Sequence, residues 1–400
     1  MFTEKELNDY ADVLIWGLNT ARTKKFKKGD IIFINFELAA IKLAEIVHAK
    51  VLEWGMNPII NMMRTPKIQR DFYNLSNKKQ LKFIAPWAKL RENSANADIY
   101  IHAPTSLTHL KDVDTKKMAK RAVVLKPLHE IIDKKGEKGE HGWTLCLYPT
   151  EKLAEHAGLS LEEYTDEIRK GCYLDKDDPL GEWKKIYTDA QKVKKWLNSL
   201  KNIKYLHIES ENMDLQIVPG KKRKWVGISG HNIPSFEIFL SPNWRGTEGK
   251  YYANQKSYKS GNEVKNVEIQ FSKGRAVEIT AEKGEKFVID HLNTDIGASQ
   301  VGEFSLTDKR FSKINKYMAE ILYDENYGGE YGNCHIALGD SYTETYDGDP
   351  SKLTPQMKKK LGFNDSAIHW DLINSENKKV TAHFESGKEL VIYENGIFTY

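Results

Sequence analysis

The densest chemistry in this 400-residue chain lies in Leu322–Tyr342, LYDENYGGEYGNCHIALGDSY, which sets one histidine and four carboxylates among six Gly or Asn residues. Three other segments share its character: HNIPSFEIF around Glu237, DIGASQVGEFSL around Glu303, and DSAIHWDLI around His369 and Asp371. Glu237, Glu303, His335, His369 and Asp371 together offer carboxylate oxygen and imidazole nitrogen, the donors that Zn²⁺ and its first-row neighbours accept. A pair of such ions needs about five or six ligands, some of them bridging, so the four segments read as one metal site. An extended strand points residues i and i+2 to the same face, which lets His369 and Asp371 act together across Trp370. Taken singly, each residue has a plainer reading. A histidine beside a Gly/Asn-rich loop can cap a turn, Glu237 can be an ordinary strand carboxylate, and Glu303 can cap a helix or strand. Their joint occurrence carries the argument.

The same pieces, in the same order, resemble the M29 family of metalloaminopeptidases. They are N-I-P-x-x-E-I-F with Glu237, V-G-E with Glu303, D-E-N with Glu325, C-H-I-A-L-G with His335 followed by Tyr342, and I-H-W-D with His369 and Asp371. Thr150–Asp166, TEKLAEHAGLSLEEYTD, is similar to a further family segment, so the resemblance spans essentially the whole chain. It implies Glu237, Glu303, Glu325, His335, His369 and Asp371 as metal ligands, with Glu303, Glu325 and Tyr342 at the catalytic centre. It departs from the family in one place. YGGEYGNC separates Asn326 from His335, so Glu330 stands where many members place the D-E-N glutamate by counting. Glu325 is preferred because D-E-N continues from an apolar run, whereas Glu330 sits in a Gly-rich loop.

The implied activity is hydrolysis of the N-terminal peptide bond of short peptides by a metal-dependent aminopeptidase. Two divalent ions per subunit, Zn, Co or Mn, would lower the pKa of a water and polarise the scissile carbonyl. Glu303 or Glu325 would move the proton, and the Tyr342 hydroxyl would stabilise an oxyanion. Which carboxylate bridges the metals and which is the base stays open at this level. The resemblance further implies peptides with a free N-terminus as partners, and a homodimer. Two rivals remain. A two-metal phosphoesterase would need cations aimed at phosphate, and only Arg245 lies near the site segments; a non-catalytic, metal-stabilised binding protein would keep the ligands without turnover.

The whole chain constrains these readings. Four hundred residues favour two domains, expected at 1–200 and 201–400. A composition of 40% apolar and 29% charged residues is that of a globular protein, and no run approaches the ~18 apolar residues of a membrane span. The N-terminus lacks the basic region of a signal peptide, and Cys146, Cys172 and Cys334 are few and widely spaced, both as expected of a cytoplasmic protein. Sixty Lys and Arg nearly balance 56 Asp and Glu, and the local basic clusters are interleaved with acids, so no nucleic-acid partner is expected. The other ten of the 12 histidines read as surface or satisfied core groups.

Two architectures must position the site. In the first half, strands predicted at Asp30–Phe36, 57–63, Ala97–His102, Arg121–Leu125 and Trp143–Tyr148 alternate with helices, predicting a doubly wound parallel sheet with helices on both faces. Its turns carry no G-x-G-x-x-G or P-loop pattern, so it reads as scaffold. Helices over Thr150–Ala157, Leu161–Lys170 and Pro179–Leu200 follow, the second opened by a Ser160/Glu163 capping box. Beyond Lys201 short alternating segments, including Ile203–Glu209, Met213–Val218, Val264–Phe271, Lys286–Ile289 and Glu389–Tyr393, predict an antiparallel β domain with a helix near Ser312–Leu322. That β-rich half is the expected catalytic domain.

Overall fold

The apolar run Ile31–Phe36 forms a strand whose last five residues are all buried, as in a strand covered on both faces. In the computed structural model, which describes residues 1–400, this strand belongs to a five-stranded parallel sheet. The spatial order is Asn57–Met62, Ile31–Phe36, Ala97–His102, Gly142–Leu147 and Asn232–Ile233. The helix Glu4–Ala21 starts at a Thr3/Glu6 capping box and buries Leu7, Tyr10, Leu14 and Leu18 along one face. Tyr10 ties it to the sheet by donating its hydroxyl to the Leu147 carbonyl at 3.0 Å. These elements belong to a unit made of Met1–Thr188, Ile228–Ser235 and Tyr317–Leu322.

Arg121–Leu125 is not a strand. It lies inside the helix Thr115–Glu137, which begins where the Asp114 side chain accepts from the Lys116 amide. Ala97–His102 and Gly142–Leu147 are direct parallel neighbours, and joining such strands takes a crossover of a dozen or more residues, usually helical. That demand overrides the β-branched Val123 and Val124.

The second unit comprises Asp189–Gly227, Phe236–Lys316 and Tyr323–Tyr400. It holds a nine-stranded antiparallel sheet that includes Ile203–Glu209, Asp214–Ile217, Asn262–Ser272, Lys379–Phe384 and Glu389–Glu394. A second sheet is ordered His369–Asn374, Asn333–Gly339, Val301–Thr307, Glu237–Leu240, Val226–Gly227, with every pair antiparallel. Two predicted elements differ. Lys286–Ile289 falls in the helix Glu285–Leu292, entered through Gly284 at φ 81°, and its buried Phe287, Val288 and Leu292 sit at helical spacing. Of the helix predicted near Ser312–Leu322 only Ile321 and Leu322 are helical, in the short helix Ile321–Asp324. Ala319 has φ 55°, which no right-handed helix admits. Upstream, Ser312 Oγ donates to the Asn326 carbonyl and accepts from the Ile314 amide, giving the backbone partners other than a helix.

Candidate active site

The five-stranded antiparallel sheet sorts its residues by alternation. Ile238, Phe304, Leu306, Ile336, Trp370 and Leu372 point to one face and are all buried there. The opposite face receives Glu237, Glu303, His335, His369 and Asp371. Register completes the arrangement: Thr307 pairs with Glu237, Ser305 with His335, Glu303 with Ala337, Ala337 with Asp371 and Gly339 with His369. The ligating types therefore alternate across the face with small residues, Ser305, Ala337 and Gly339, which leave room between them. Gly302 in the V-G-E motif is demanded by packing, since a Cβ there would lie 2.2 Å from the Asp340 carbonyl oxygen.

At the centre, His335 Nε2 lies 3.1 Å from Glu303 Oε1, 3.3 Å from Glu237 Oε2 and 3.8 Å from Asp371 Oδ1. His369 Nε2 lies 3.4 Å from Asp371 Oδ1 and 3.9 Å from Glu303 Oε2. One ligand atom each from Glu237, Glu303 and His335 lies within 4.8 Å of the other two, and all three residues are buried. The side chains are oriented from outside. Ser305 Oγ donates to Glu237 Oε2 at 3.0 Å. His369 donates Nδ1–H to the Asp340 carbonyl at 2.9 Å, which orients the ring with Nε2 toward the carboxylates.

The electrostatics are those of crowded, buried acids. Burial, reinforced by the charge of Glu303, pushes Glu237 up to about 8. Burial also raises Glu303, against the hydrogen bond from His335. Burial depresses both imidazoles, yet His335 rises to about 9 through Glu303, Glu237 and Asp371, and His369 to about 9 through Asp371 and Glu303. Asp371 is opposed by burial but held well below the usual carboxylate range by His369 and then His335. A divalent cation would relieve this repulsion. The residues fit one on a further count: Glu303 Oε2 is buried and accepts no hydrogen bond, and His335 Nδ1 likewise has no partner. The donor set of carboxylate oxygen and imidazole nitrogen is that of Zn²⁺, Co²⁺ or Mn²⁺.

The Tyr342 ring lies 4.7 Å from that of His369, tilted by 52°, and meets Phe239 edge-on at 5.9 Å, while its amide donates to Ser241 Oγ at 2.9 Å. The residue as a whole is 38% exposed, but desolvation at its hydroxyl end, then the charges of Glu303, Asp371, Glu325 and Glu237, raise its pKa well above the ordinary phenol value. Glu325 is buried, its carbonyl accepts from Thr307 Oγ1 at 3.1 Å, and its carboxylate is close enough to bear on Tyr342. Glu330 is exposed, and its carboxylate takes a hydrogen bond from Tyr331. Arg245 is spent elsewhere, donating to the Lys359 carbonyl at 2.7 Å. Sequence reasoning passed over Ser305, Ser241 and the Asp340 carbonyl. Ser305 was open to discovery, because it stands two residues after Glu303 on one strand and so shares its face; the other two depend on chain segments meeting in space.

Comparison with known proteins identifies the family. The family model of thermophilic metalloproteases (M29) matches residues 3–398. Aminopeptidase AmpS of Bacillus subtilis (strain 168) is 26% identical over 427 residues, covering 100% of this chain and 99% of its own. Aminopeptidase T of Thermus thermophilus is 28% identical over 271 residues, 64% of this chain and 62% of that protein. The solved structure of wild-type AmpT from Thermus thermophilus shares the fold, with a TM-score of 0.80 at 23% identity, over 99% of this chain and 100% of that one. With a family match running nearly end to end, this chain belongs to the thermophilic metalloprotease (M29) family.

Proposed function

We propose that this chain is a metal-dependent aminopeptidase that removes the N-terminal residue of short peptides. The observation that carries the reading is the convergence of Glu237, Glu303, His335, His369 and Asp371 on one sheet face, in a family whose relatives named above are aminopeptidases. Those five residues, with Glu325 beside them in preference to the exposed Glu330, would hold two divalent ions, Zn²⁺, Co²⁺ or Mn²⁺. When bound, the ions supply Lewis acidity and an acidified water.

The protein's own groups do the rest. Glu303, with one unsatisfied buried oxygen, or Glu325 takes the proton of the attacking water and returns it to the leaving amine. The protonated Tyr342 hydroxyl donates to the oxygen that gains charge in the transition state. A surplus of carboxylates suits the free α-ammonium of a peptide, which accounts for trimming from the N-terminus only. The β-rich half from residue 201 onward is assigned as the catalytic domain and the preceding half as scaffold. A homodimer is supported by the edge strand Asn57–Met62, which leaves Ile59, Ile60 and Met62 each at least 40% exposed. A cytoplasmic location is supported by the three free cysteines, and no helix is long and apolar enough to cross a membrane.

The test is mass spectrometry of short peptides, with free or acetylated N-termini, incubated with as-purified, chelated and Co²⁺- or Zn²⁺-restored protein. Stepwise loss of single residues from free peptides alone, abolished by chelation and recovered with metal, is expected. Cleavage that ignores acetylation or survives complete metal removal overturns the proposal.

A further inference from the structure

A second group of metal-ligating side chains lies on the nine-stranded sheet, outside the site already described. His207 and His383 stand on the neighbouring strands Ile203–Glu209 and Lys379–Phe384, where Tyr205 pairs with His383 and His207 with Thr381. Alternation buries Leu206, Ile208, Val380 and Ala382 and turns both histidines to the other face. The two imidazoles are thus diagonal neighbours, with ring centres 6.1 Å apart.

Each ring is held at one nitrogen by a carboxylate. His207 Nε2 donates to Asp214 Oδ1 at 2.8 Å, and His383 Nδ1 lies 3.1 Å from Glu389 Oε1. Tyr205 stacks on the His383 ring at 4.4 Å and 17°, fixing its plane. A carboxylate on one imidazole nitrogen sets the tautomer that leaves the other nitrogen as a lone-pair donor, as at most protein metal sites. Here those atoms are His207 Nδ1 and His383 Nε2. Glu209 Oε2 stands 3.7 Å from His207 Nδ1, too far for a hydrogen bond but near the spacing of two atoms that share an ion. Zn–N bonds of about 2.0–2.1 Å bring two coordinating imidazoles closer together than the 6.1 Å between these ring centres, so the two side chains must turn toward each other as an ion binds.

We infer that His207 and His383, with Glu209 as third ligand and Asp214 and Glu389 as orienting groups, form a peripheral site for a borderline divalent cation such as Zn²⁺, Ni²⁺ or Cu²⁺. Two imidazoles with a single carboxylate favour these ions over Mg²⁺, Mn²⁺ or Ca²⁺, whereas the central site sets its two imidazoles among three or more carboxylates. An ion here clamps strands that lie far apart in the sequence, and it stabilises the unit through the binding equilibrium. Lys379, 3.1 Å from Glu209, competes for that carboxylate and keeps the site open to exchange.

The test uses the full chain. Ions bound per chain are counted after Zn²⁺ loading and desalting for the parent protein, His207→Ala, His383→Ala and the double variant, and the Cu²⁺ electron paramagnetic resonance spectrum of each is recorded. Each substitution should remove one equivalent and one coordinated imidazole nitrogen from the spectrum, with peptide trimming unchanged. Asp214→Asn should weaken Zn²⁺ binding at this site about tenfold without removing it. Unchanged stoichiometry and spectra in the double variant overturn the inference. Its outcome is independent of the aminopeptidase reading, because neither histidine touches the central site.

Discussion

Two buried clusters of histidine and carboxylate occur in this protein, one in each unit, and they differ in how completely they satisfy themselves. In the first unit, Asp98 accepts from Asn35 Nδ2 at 2.8 Å and from His141 Nε2 at 2.9 Å, and Arg91 pairs with both of its oxygens. Asn35 in turn accepts from Asn61 at 2.7 Å, so the polar groups form a closed chain. Burial alone would raise Asp98, but His141 and then Arg91 outweigh it and hold the carboxyl below its usual range. In the second unit Glu237, Glu303 and Asp371 outnumber their cationic partners, Glu237 is driven up rather than down, and Glu303 and His335 each keep a buried atom without a hydrogen bond. A complete network stabilises a fold. An incomplete one, over-supplied with acid, awaits a ligand.

Substitutions should separate the two clusters, the largest effect coming from the incomplete one. Glu303→Gln should lower kcat/KM on free-N-terminal peptides by about a thousandfold, within the range of lost acid–base catalysis, with a thermal midpoint close to the parent's. A variant of normal activity would remove Glu303 from the site. Tyr342→Phe deletes one hydroxyl and should cost about a hundredfold in kcat with little change in KM, the size of a lost oxyanion donor. An equal loss confined to KM would make Tyr342 a substrate-binding group instead. His141→Ala inverts the pattern. It strips a buried carboxylate of one partner and should cost about 2 kcal/mol in urea denaturation while leaving turnover per folded molecule intact.

The smallest effect is a pH slope. Because the folded pKa of Asp98 is lowered, its contribution is fully present above the unfolded value of about 3.9 and is lost as pH falls through the depressed folded value. Unfolding free energies measured from neutral pH into acid should therefore fall less steeply for Asp98→Asn than for the parent. Parallel curves would show that Asp98 is not the linked group.

Much of the architecture could be read locally. The helix Glu4–Ala21 shows in the spacing of Leu7, Leu14 and Leu18, the Ser160/Glu163 box opens its helix as predicted, and Ile31–Phe36 is an apolar run after a turn. The misreadings share a cause. Arg121–Leu125 and Lys286–Ile289 are β-branched or aromatic by composition, yet a parallel crossover in one case and a buried helical face in the other imposed helix. Ser312–Leu322 has helical composition, but a hydroxyl and a left-handed Ala319 hold it open. Tertiary demand exceeds intrinsic propensity by a wide margin, since propensities differ by about 1 kcal/mol or less per residue.

The same division applies to the site. The sequence by itself determined which chemical groups this protein can bring to bear, and the two-residue alternation that puts His369 and Asp371, or Glu303 and Ser305, on one face, because strand geometry is a property of the local backbone. His335 and His141 both end buried against carboxylates, and local sequence does not say which of the two carboxylate clusters is left incomplete. Only the tertiary structure decided that Asn333–Gly339 lies between Val301–Thr307 and His369–Asn374, that His335 falls opposite Ser305, and that Glu303 keeps an oxygen unpaired. Strand order, register and desolvation are properties of segments brought together from far along the chain. They turn five separately ordinary side chains into one electrostatically strained site.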